Sequence, residues 1–293
     1  MSGGEPAPAA LARLARAALA EDRVRRDRTT RAVIPRAVPA TGVVSAQARG
    51  ILSGVSAARA VAHRSGLAVE RALRDGRPVR RGTVVLVVRG DARRILGAER
   101  TLLNLLMHAS GVATATRAAA RAAGGRPGPQ VWSTRKTLPG LRDLERAAVR
   151  HGGGHPHRRD LADGLLVKSN HLAVVPIEEA VRRLRRRRRR GERIEIEVRT
   201  VGEALRAGRA GAQALLLDNR TPAQAHRIVR ALQRAGLRDR LWVELSGGIT
   251  PGTIARYRSV GADAASLGAL THSAPALPFH LTLHPSVLRR PSP

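Results

Sequence analysis

The chain has 293 residues, 43% of them hydrophobic, enough to bury one large core or two unequal ones. It contains no cysteine, which excludes disulfides, thiolate metal sites and cysteine nucleophiles, and no apolar run approaches the roughly 18 residues that a membrane span needs. The net charge of +31 fits nucleic-acid binding, a highly anionic small substrate or a plain bias toward arginine, but at 1% aromatic the chain offers no stacking platform for single strands.

Residues 1–20 alternate Ala, Leu and Arg and read as an amphipathic helix, not an export signal, so the cytosol is the expected location. Strands are expected at 32–35, 42–48, 51–55 and 83–89, separated by turns such as Asp75-Gly76-Arg77-Pro78. A long helix should run from about 93 to 123, with Leu102, Leu105, Leu106, Ala109 and Ala113 on one apolar stripe. Short apolar strands follow at 130–132 and 164–167. From Glu192 onward a strand-then-helix unit repeats. Strands are expected at 194–198, 214–217, 241–245 and 264–267, with helices over 201–210, from Pro222 behind the cap Thr221, and from Pro251. Such apolar strands suit a parallel sheet buried on both faces, and units of this length favour a β/α barrel over an open sheet. The chain therefore divides into a front β-rich domain, 1–115, and a rear barrel, 116–274. The tail 275–293, with Pro275, Pro278 and Pro285, is expected to pack back on the front domain. The arginine block 182–190 ends a helical pattern and reads as a solvated face.

Rare residue types point to a site. There are only two lysines, Lys136 and Lys168, among 53 basic residues, and only three asparagines, Asn104, Asn170 and Asn219. Where arginine serves as the general cation, a retained lysine suggests a need for a compact ammonium. Active sites of parallel β/α folds form at the carboxyl ends of the strands. Those ends here carry Arg135, Lys136, Lys168, Glu197, Asp218, Ser246-Gly247-Gly248 and Gly268. The glycine turns offer free backbone N–H groups to a phosphate. The histidines of His151-Gly152-Gly153-Gly154-His155-Pro156-His157-Arg158 lack a cysteine or a nearby acidic residue for zinc. We read this segment as backbone close to a ligand, with His157 and Arg158 directed at an anion.

These segments, with Glu99-Arg100-Thr101-Leu102-Leu103-Asn104 before them, resemble the quinolinate phosphoribosyltransferase family. The motifs that carry the resemblance are Thr134-Arg135-Lys136-Thr137, Gly152-Gly153-Gly154 with His157-Arg158, Lys168-Ser169-Asn170-His171, Leu217-Asp218-Asn219, Ser246-Gly247-Gly248 and Gly268-Ala269-Leu270-Thr271-His272-Ser273. The resemblance implies the type II phosphoribosyltransferase fold, an N-terminal α/β sandwich with an incomplete β/α barrel. It also implies a homodimer or larger homo-oligomer in which one subunit's front domain closes the other's barrel. By the same resemblance, Arg100 from the partner subunit, Arg135, His157, Arg158 and Lys168 would bind the two carboxylates of quinolinate. Lys136, Glu197 and Asp218 would handle phosphoribosyl pyrophosphate and Mg²⁺, with Glu197 and Asp218 meeting the metal through the pyrophosphate. Ser246, Gly247, Gly248 and Gly268 would hold the 5′-phosphate. The implied reaction yields nicotinate mononucleotide, pyrophosphate and carbon dioxide on the route to NAD.

Three positions depart from the family pattern: the stretch Val24 to Thr30 lacks its usual glycines, Pro156 replaces asparagine, and Ser169 replaces aspartate. A paralogue acting on a modified pyridine, or a homologue associated with molybdate transport, is the alternative reading, although that homologue usually lacks a lysine at the position of Lys168. A basic nucleic-acid-binding protein is the more distant alternative, since no recognition helix or aromatic face supports it.

Overall fold

The computed structural model describes residues 5–285. Its contacts divide the chain into two units. The first takes the described residues up to Ala115, Leu138–Gly153 and the described residues from Ala274 onward; the second takes Thr116–Thr137 and Gly154–Ser273. Leu138–Gly153 thus groups with the first unit, where the sequence reading had placed it in the barrel.

The first unit opens with α1 (Pro8–Glu21), whose Ala15 and Leu19 are buried, and α2 (Arg28–Val33). The strand expected at 32–35 is instead the end of α2 at Ala32 and Val33 followed by irregular chain at Ile34 and Pro35; the Asp27 side chain accepts the Thr30 amide at 2.9 Å and caps that helix. Next come β1 (Pro39–Ala46), β2 (Gly50–Ile51), α3 (Val55–Arg64), β3 (Ala68–Ala72), β4 (Pro78–Val79) and β5 (Val84–Asp91). The strand expected at 51–55 survives only as β2. Gly54, at φ 92°, turns the backbone into the left-handed region just before α3 begins.

The long helix is α4 (Ala92–Ala123), and its expected stripe is buried throughout. A final strand, Phe279–Pro285, pairs antiparallel with β1, giving the sheet order final strand, β1, β5, β3. This explains why the proline-bearing tail returns: Leu277, Phe279 and Leu281 join one apolar cluster with Leu86, Ile95, Leu102 and Leu106. Each fully buried leucine in such a cluster contributes about 1.5–3 kcal/mol. Leu144, Ala148 and Val149 of α5 (Arg142–His151) belong to that cluster too, which is why this helix sits with the first unit. Residues 286–293 of the expected tail, and residues 1–4 of the expected amphipathic helix, lie outside the described residues.

The second unit carries six parallel strands: β6 (Gln130–Trp132), β7 (Leu165–Val167), β8 (Ile194–Val198), β9 (Ala214–Asp218), β10 (Trp242–Ser246) and β11 (Ala264–Ser266). Their order is β6-β11-β10-β9-β8-β7, so the first two strands in sequence, β6 and β7, form the two unpaired edges and the β/α barrel is incomplete. Beside β6, His155 makes a single parallel bridge to Trp132. Ile194, Ile196, Leu215, Leu217 and Leu245 are fully buried, as expected of a sheet covered on both sides. The helices are α6 (Ser169–Leu172), α7 (Ile177–Arg187), α8 (Val201–Ala210), α9 (Pro222–Arg234) and α10 (Ala269–His272). Thr200 and Thr221 each close a capping box, with Glu203 and Gln224. The helix expected from Pro251 is instead a turn followed by the 3₁₀ segment Ile254–Tyr257, since the Thr253 hydroxyl takes the Thr250 amide at 2.9 Å. Arg185 to Arg190 are exposed, as expected of a solvated face, and among the described helices none is long and apolar enough to cross a membrane.

Two glycines on α4 separate packing from propensity. A β-carbon on Gly111 would lie 2.2 Å from the Pro275 carbonyl oxygen, whereas one on Gly97 would meet nothing closer than 3.8 Å. We expect Gly111→Ala to lower stability in denaturant by about 1–3 kcal/mol, the usual cost of overpacking. Gly97→Ala should raise it by roughly 0.5–1 kcal/mol through helix propensity. Equal effects of the two substitutions would contradict the close approach at Gly111.

Candidate active site

The second unit's functional side chains lie along one face of its sheet because side chains alternate along a strand. Register pairs Asp218 with Ser246, Ser246 with Ser266, and Ser266 with Trp132, making one row at the carboxyl ends of the strands. Glu197 and Glu244 both pair with Leu216, one row back, so they share that face. Glu195, two residues before Glu197, shares it as well.

Three groups of residues assemble there. In the first, the Lys168 ammonium is 4.0 Å from the buried Glu197 carboxylate, whose other oxygen accepts the Ser169 amide at 3.2 Å. Arg199 forks onto Asp218 at 3.1 and 3.0 Å. In the second, the Asn219 amide N–H donates to the Ser246 carbonyl at 2.8 Å, and Gly247 and Gly248 follow with φ of 91° and 64°. A β-carbon on Gly247 would fall 2.2 Å from the Asn219 side-chain oxygen, so only glycine lets this turn lie against Asn219. Lys136 stands near the neighbouring turn. Its carbonyl accepts the Thr271 hydroxyl at 2.7 Å, and its stem passes 3.0 Å from where a β-carbon on Gly268 would sit.

The third group is cationic above and acidic beneath. Arg135 Nε is buried and has no protein acceptor. Burial, and then the charge of nearby Arg135, hold the Arg158 guanidinium below its usual pKa. Arg158 is steadied by a 3.2 Å bond from Nη1 to the Gly164 carbonyl. Below them, His157 Nε2 lies 3.4 Å from Glu244 and 3.9 Å from Glu195. Its Nδ1 accepts the Arg158 amide at 2.8 Å, which puts the ring proton on Nε2, toward the carboxylates. Burial alone would lower the His157 pKa, but the close Glu244 carboxylate and the charge of Glu195 outweigh it and leave it raised. Burial, and then the neighbouring charge of Glu244, push Glu195 up to about 7. The sides of the cluster are apolar: Trp132 stacks on His155 with ring centroids 5.4 Å apart and meets His157 edge-on at 6.1 Å.

The structure thus brings together Arg135, His157 and Arg158; Lys168, Glu197 and Asp218; and Lys136 beside Gly268, with Ser246-Gly247-Gly248 against Asn219. Arg100 is exposed on α4, in the first unit. Of the three clustered histidines, His157 has two acidic neighbours that the local sequence did not reveal. His151 instead bonds Ser53 and Glu5, both at 2.8 Å, within the first unit. The sequence reading missed Glu195, Glu244 and Arg199. The period-two spacing of Glu195 and Glu197, and a glutamate inside an apolar strand at 244, were available signals. Arg199 had none, being one arginine among many.

The arrangement offers forked cations for carboxylates and glycine turns for a phosphate, at the strand ends of an incomplete barrel. The family models for quinolinate phosphoribosyl transferase match at residues 27–110 for the N-terminal domain and 112–282 for the C-terminal domain. The chain belongs to the quinolinate phosphoribosyl transferase family. A probable nicotinate-nucleotide pyrophosphorylase [carboxylating] of Methanothermobacter thermautotrophicus is 42% identical over 85% of this chain and 90% of its own length. The nicotinate-nucleotide pyrophosphorylase [carboxylating] of Mycobacterium leprae is 38% identical over 92% of this chain and 95% of its own. Among solved structures, NadC from Streptococcus pyogenes superposes with a TM-score of 0.88 at 33% identity, covering 97% of this chain and 99% of that one. Family membership therefore extends across both units.

The acidic layer under the arginines has a measurable consequence. A carboxyl whose pKa is raised on folding binds its proton more tightly in the folded state. Ionising Glu195 thus costs stability, and the cost grows as pH climbs from the ordinary carboxylate range to about 7. Glu195→Gln removes a charge that folding disfavours. Its unfolding temperature should exceed wild type at about pH 8, and the gain should shrink toward about pH 5. A gain that is the same at both values would show that Glu195 is not the group titrating.

Proposed function

We propose that this protein is a nicotinate-nucleotide pyrophosphorylase [carboxylating]. It would transfer the phosphoribosyl group of phosphoribosyl pyrophosphate to quinolinate and release pyrophosphate and carbon dioxide. The observation that carries this reading is the buried Arg135 Nε, which no protein group among the described residues satisfies, with the charge of Arg158 close by. A buried donor left unpaired costs about 1–3 kcal/mol, so the site is arranged for an anion to complete it. A guanidinium fork suits a carboxylate. Lys168, at the next strand end, supplies charge for a second carboxylate.

The proposed roles follow from position. Arg135, His157, Arg158 and Lys168 orient the pyridine dicarboxylate, with Arg100 contributed by the partner subunit of a homodimer or larger homo-oligomer. The turns at Ser246-Gly247-Gly248 and Gly268 present N–H groups to the 5′-phosphate, and Lys136 holds the donor's pyrophosphate. Glu197 and Asp218 offer hard oxygen donors of the kind that Mg²⁺ takes; with the donor bound they would meet it through the pyrophosphate, where it would neutralise the leaving group's charge.

The pyridine nitrogen attacks the anomeric carbon as pyrophosphate departs. Positive charge grows on the ribose, and the sheltered carboxylates of Asp218 and Glu197 stabilise it. The nitrogen is now quaternary and draws electrons. The bond from ring carbon to the adjacent carboxylate breaks, its electron pair stays on the ring carbon, carbon dioxide leaves, and a solvent proton replaces it. The Trp132 and His155 rings flank the cluster on one side. The cytosol is the proposed location.

Incubation with quinolinate, phosphoribosyl pyrophosphate and Mg²⁺ should give nicotinate mononucleotide and carbon dioxide in equal amounts. Lys136→Arg and Lys168→Arg should each lower kcat/KM by on the order of 10² or more with folding intact, because a planar guanidinium misplaces the bound groups. Arg187→Lys on the exposed end of α7 serves as the control and should be silent. Absence of the mononucleotide with wild-type protein, or near-normal activity in both lysine variants, would overturn these assignments. For the shared site, mixing inactive Arg100→Ala with inactive Lys136→Ala protein should restore part of the activity through hybrid dimers. No recovery after confirmed subunit exchange would place Arg100 outside the partner's site.

A further inference from the structure

The reaction described above leaves one rim cation unused. Arg199 follows β8, and its guanidinium forks onto one oxygen of Asp218 at 3.1 and 3.0 Å while lying 4.0 Å from Glu197. The other Asp218 oxygen accepts the Asn219 side-chain amide at 3.0 Å. Both oxygens of Asp218 are therefore engaged. The Oδ2 atom, which accepts two bonds from Arg199, cannot face Mg²⁺ fully until that guanidinium lets go. Asn219 is held by its backbone against Ser246. Arg199 is the partner free to move, since its side chain is 52% exposed against 15% for Asp218.

That asymmetry sets the energetics. A sheltered carboxylate without a counter-ion is costly, whereas a half-exposed guanidinium loses little when it is released to water. The backbone at Arg199 is fixed, because its amide donates to Glu203 at 2.6 Å in the capping box that starts α8. Only the side chain need swing. A guanidinium fork matches a phosphate as well as it matches a carboxylate.

We propose that Arg199 is the resident counter-ion of Asp218 in the free site, and that it moves to the donor's pyrophosphate when the donor binds. This rests on the reading of the reaction given above. Arg199 then guards the ribose-binding carboxylate before binding and holds the leaving group afterward. The exchange frees Asp218 at the moment when the ribose and its metal arrive.

Calorimetry with two separate probes tests it: inorganic pyrophosphate without metal, and Mg²⁺ without pyrophosphate. In Arg199→Gln, pyrophosphate affinity should fall on the order of 10-fold or more, as expected for a lost charge-assisted bond. Mg²⁺ affinity should rise several-fold, because the competitor for Asp218 is gone. Arg199→Lys keeps the charge without the fork and should recover only part of the pyrophosphate affinity. Unchanged pyrophosphate affinity in the glutamine variant, a fall in affinity for both probes, or a lysine variant equal to wild type would each overturn the proposal. Wild-type protein that binds pyrophosphate but makes no mononucleotide would instead overturn the reaction and leave the Arg199 assignment standing.

Discussion

Glu195 and Glu197 leave β8 on the same side of the sheet, and Glu244 from β10 joins them across one intervening strand. Three carboxylates on the same face of a mostly apolar sheet cannot stay ionised without local compensation, since like charges in a poorly hydrated setting repel strongly. The rest of the site answers this constraint. Toward the strand ends, Lys168 and Arg199 sit on Glu197 and Asp218. Deeper, His157 faces Glu195 and Glu244, and Glu195 is held near neutrality. Arg135 and Arg158 add positive charge beside this group, and among the described residues the buried Arg135 Nε has no hydrogen-bond partner, which leaves it for a ligand.

Much of the rear unit was legible because its signals are local. The apolar runs at 194–198 and 214–218 and the threonine caps at 200 and 221 state strand, end and helix start within a few residues. The lysines stood out only because the chain uses arginine almost everywhere else. The front unit was harder to read. In Ile51-Leu52-Ser53-Gly54-Val55 an apolar run straddles a strand end, a left-handed glycine and a helix start, and no periodicity separates the three. Val33 and Ile34 are β-branched, yet the Asp27 cap starts a helix that takes in Val33, and Ile34 only ends it. The grouping of α5 with the front unit depends on Leu144 and Val149 meeting an apolar cluster far away in sequence, which local patterns do not report.

The same reasoning explains what was missed in the site. A glutamate in a buried strand is a conspicuous departure from apolar alternation, so Glu244 could have been noticed. Arg199 could not, because its importance comes from the fork it makes on Asp218 and not from its type. The high arginine content is also seen differently once positions are known. Arg182 and Arg183 pair with Glu179, and Arg206 pairs with Glu178, so part of the basic surface is internally compensated. Within the second unit, Arg135 stands apart through its buried, unpartnered Nε, and not through number.

The account makes the charge of the ligand its central claim: the cationic layer is matched to two carboxylates, not one. Calorimetric titration of the protein with quinolinate and with nicotinate measures this without relying on turnover. Quinolinate should bind on the order of 10 to 10² times more tightly, the equivalent of about 1.5–3 kcal/mol for one charge-assisted interaction. Arg158→Gln should shrink that preference. Equal affinity for the two ligands would mean that the layer of Arg135, Arg158 and Lys168 does not read the second carboxylate, and it would contradict the account at its base.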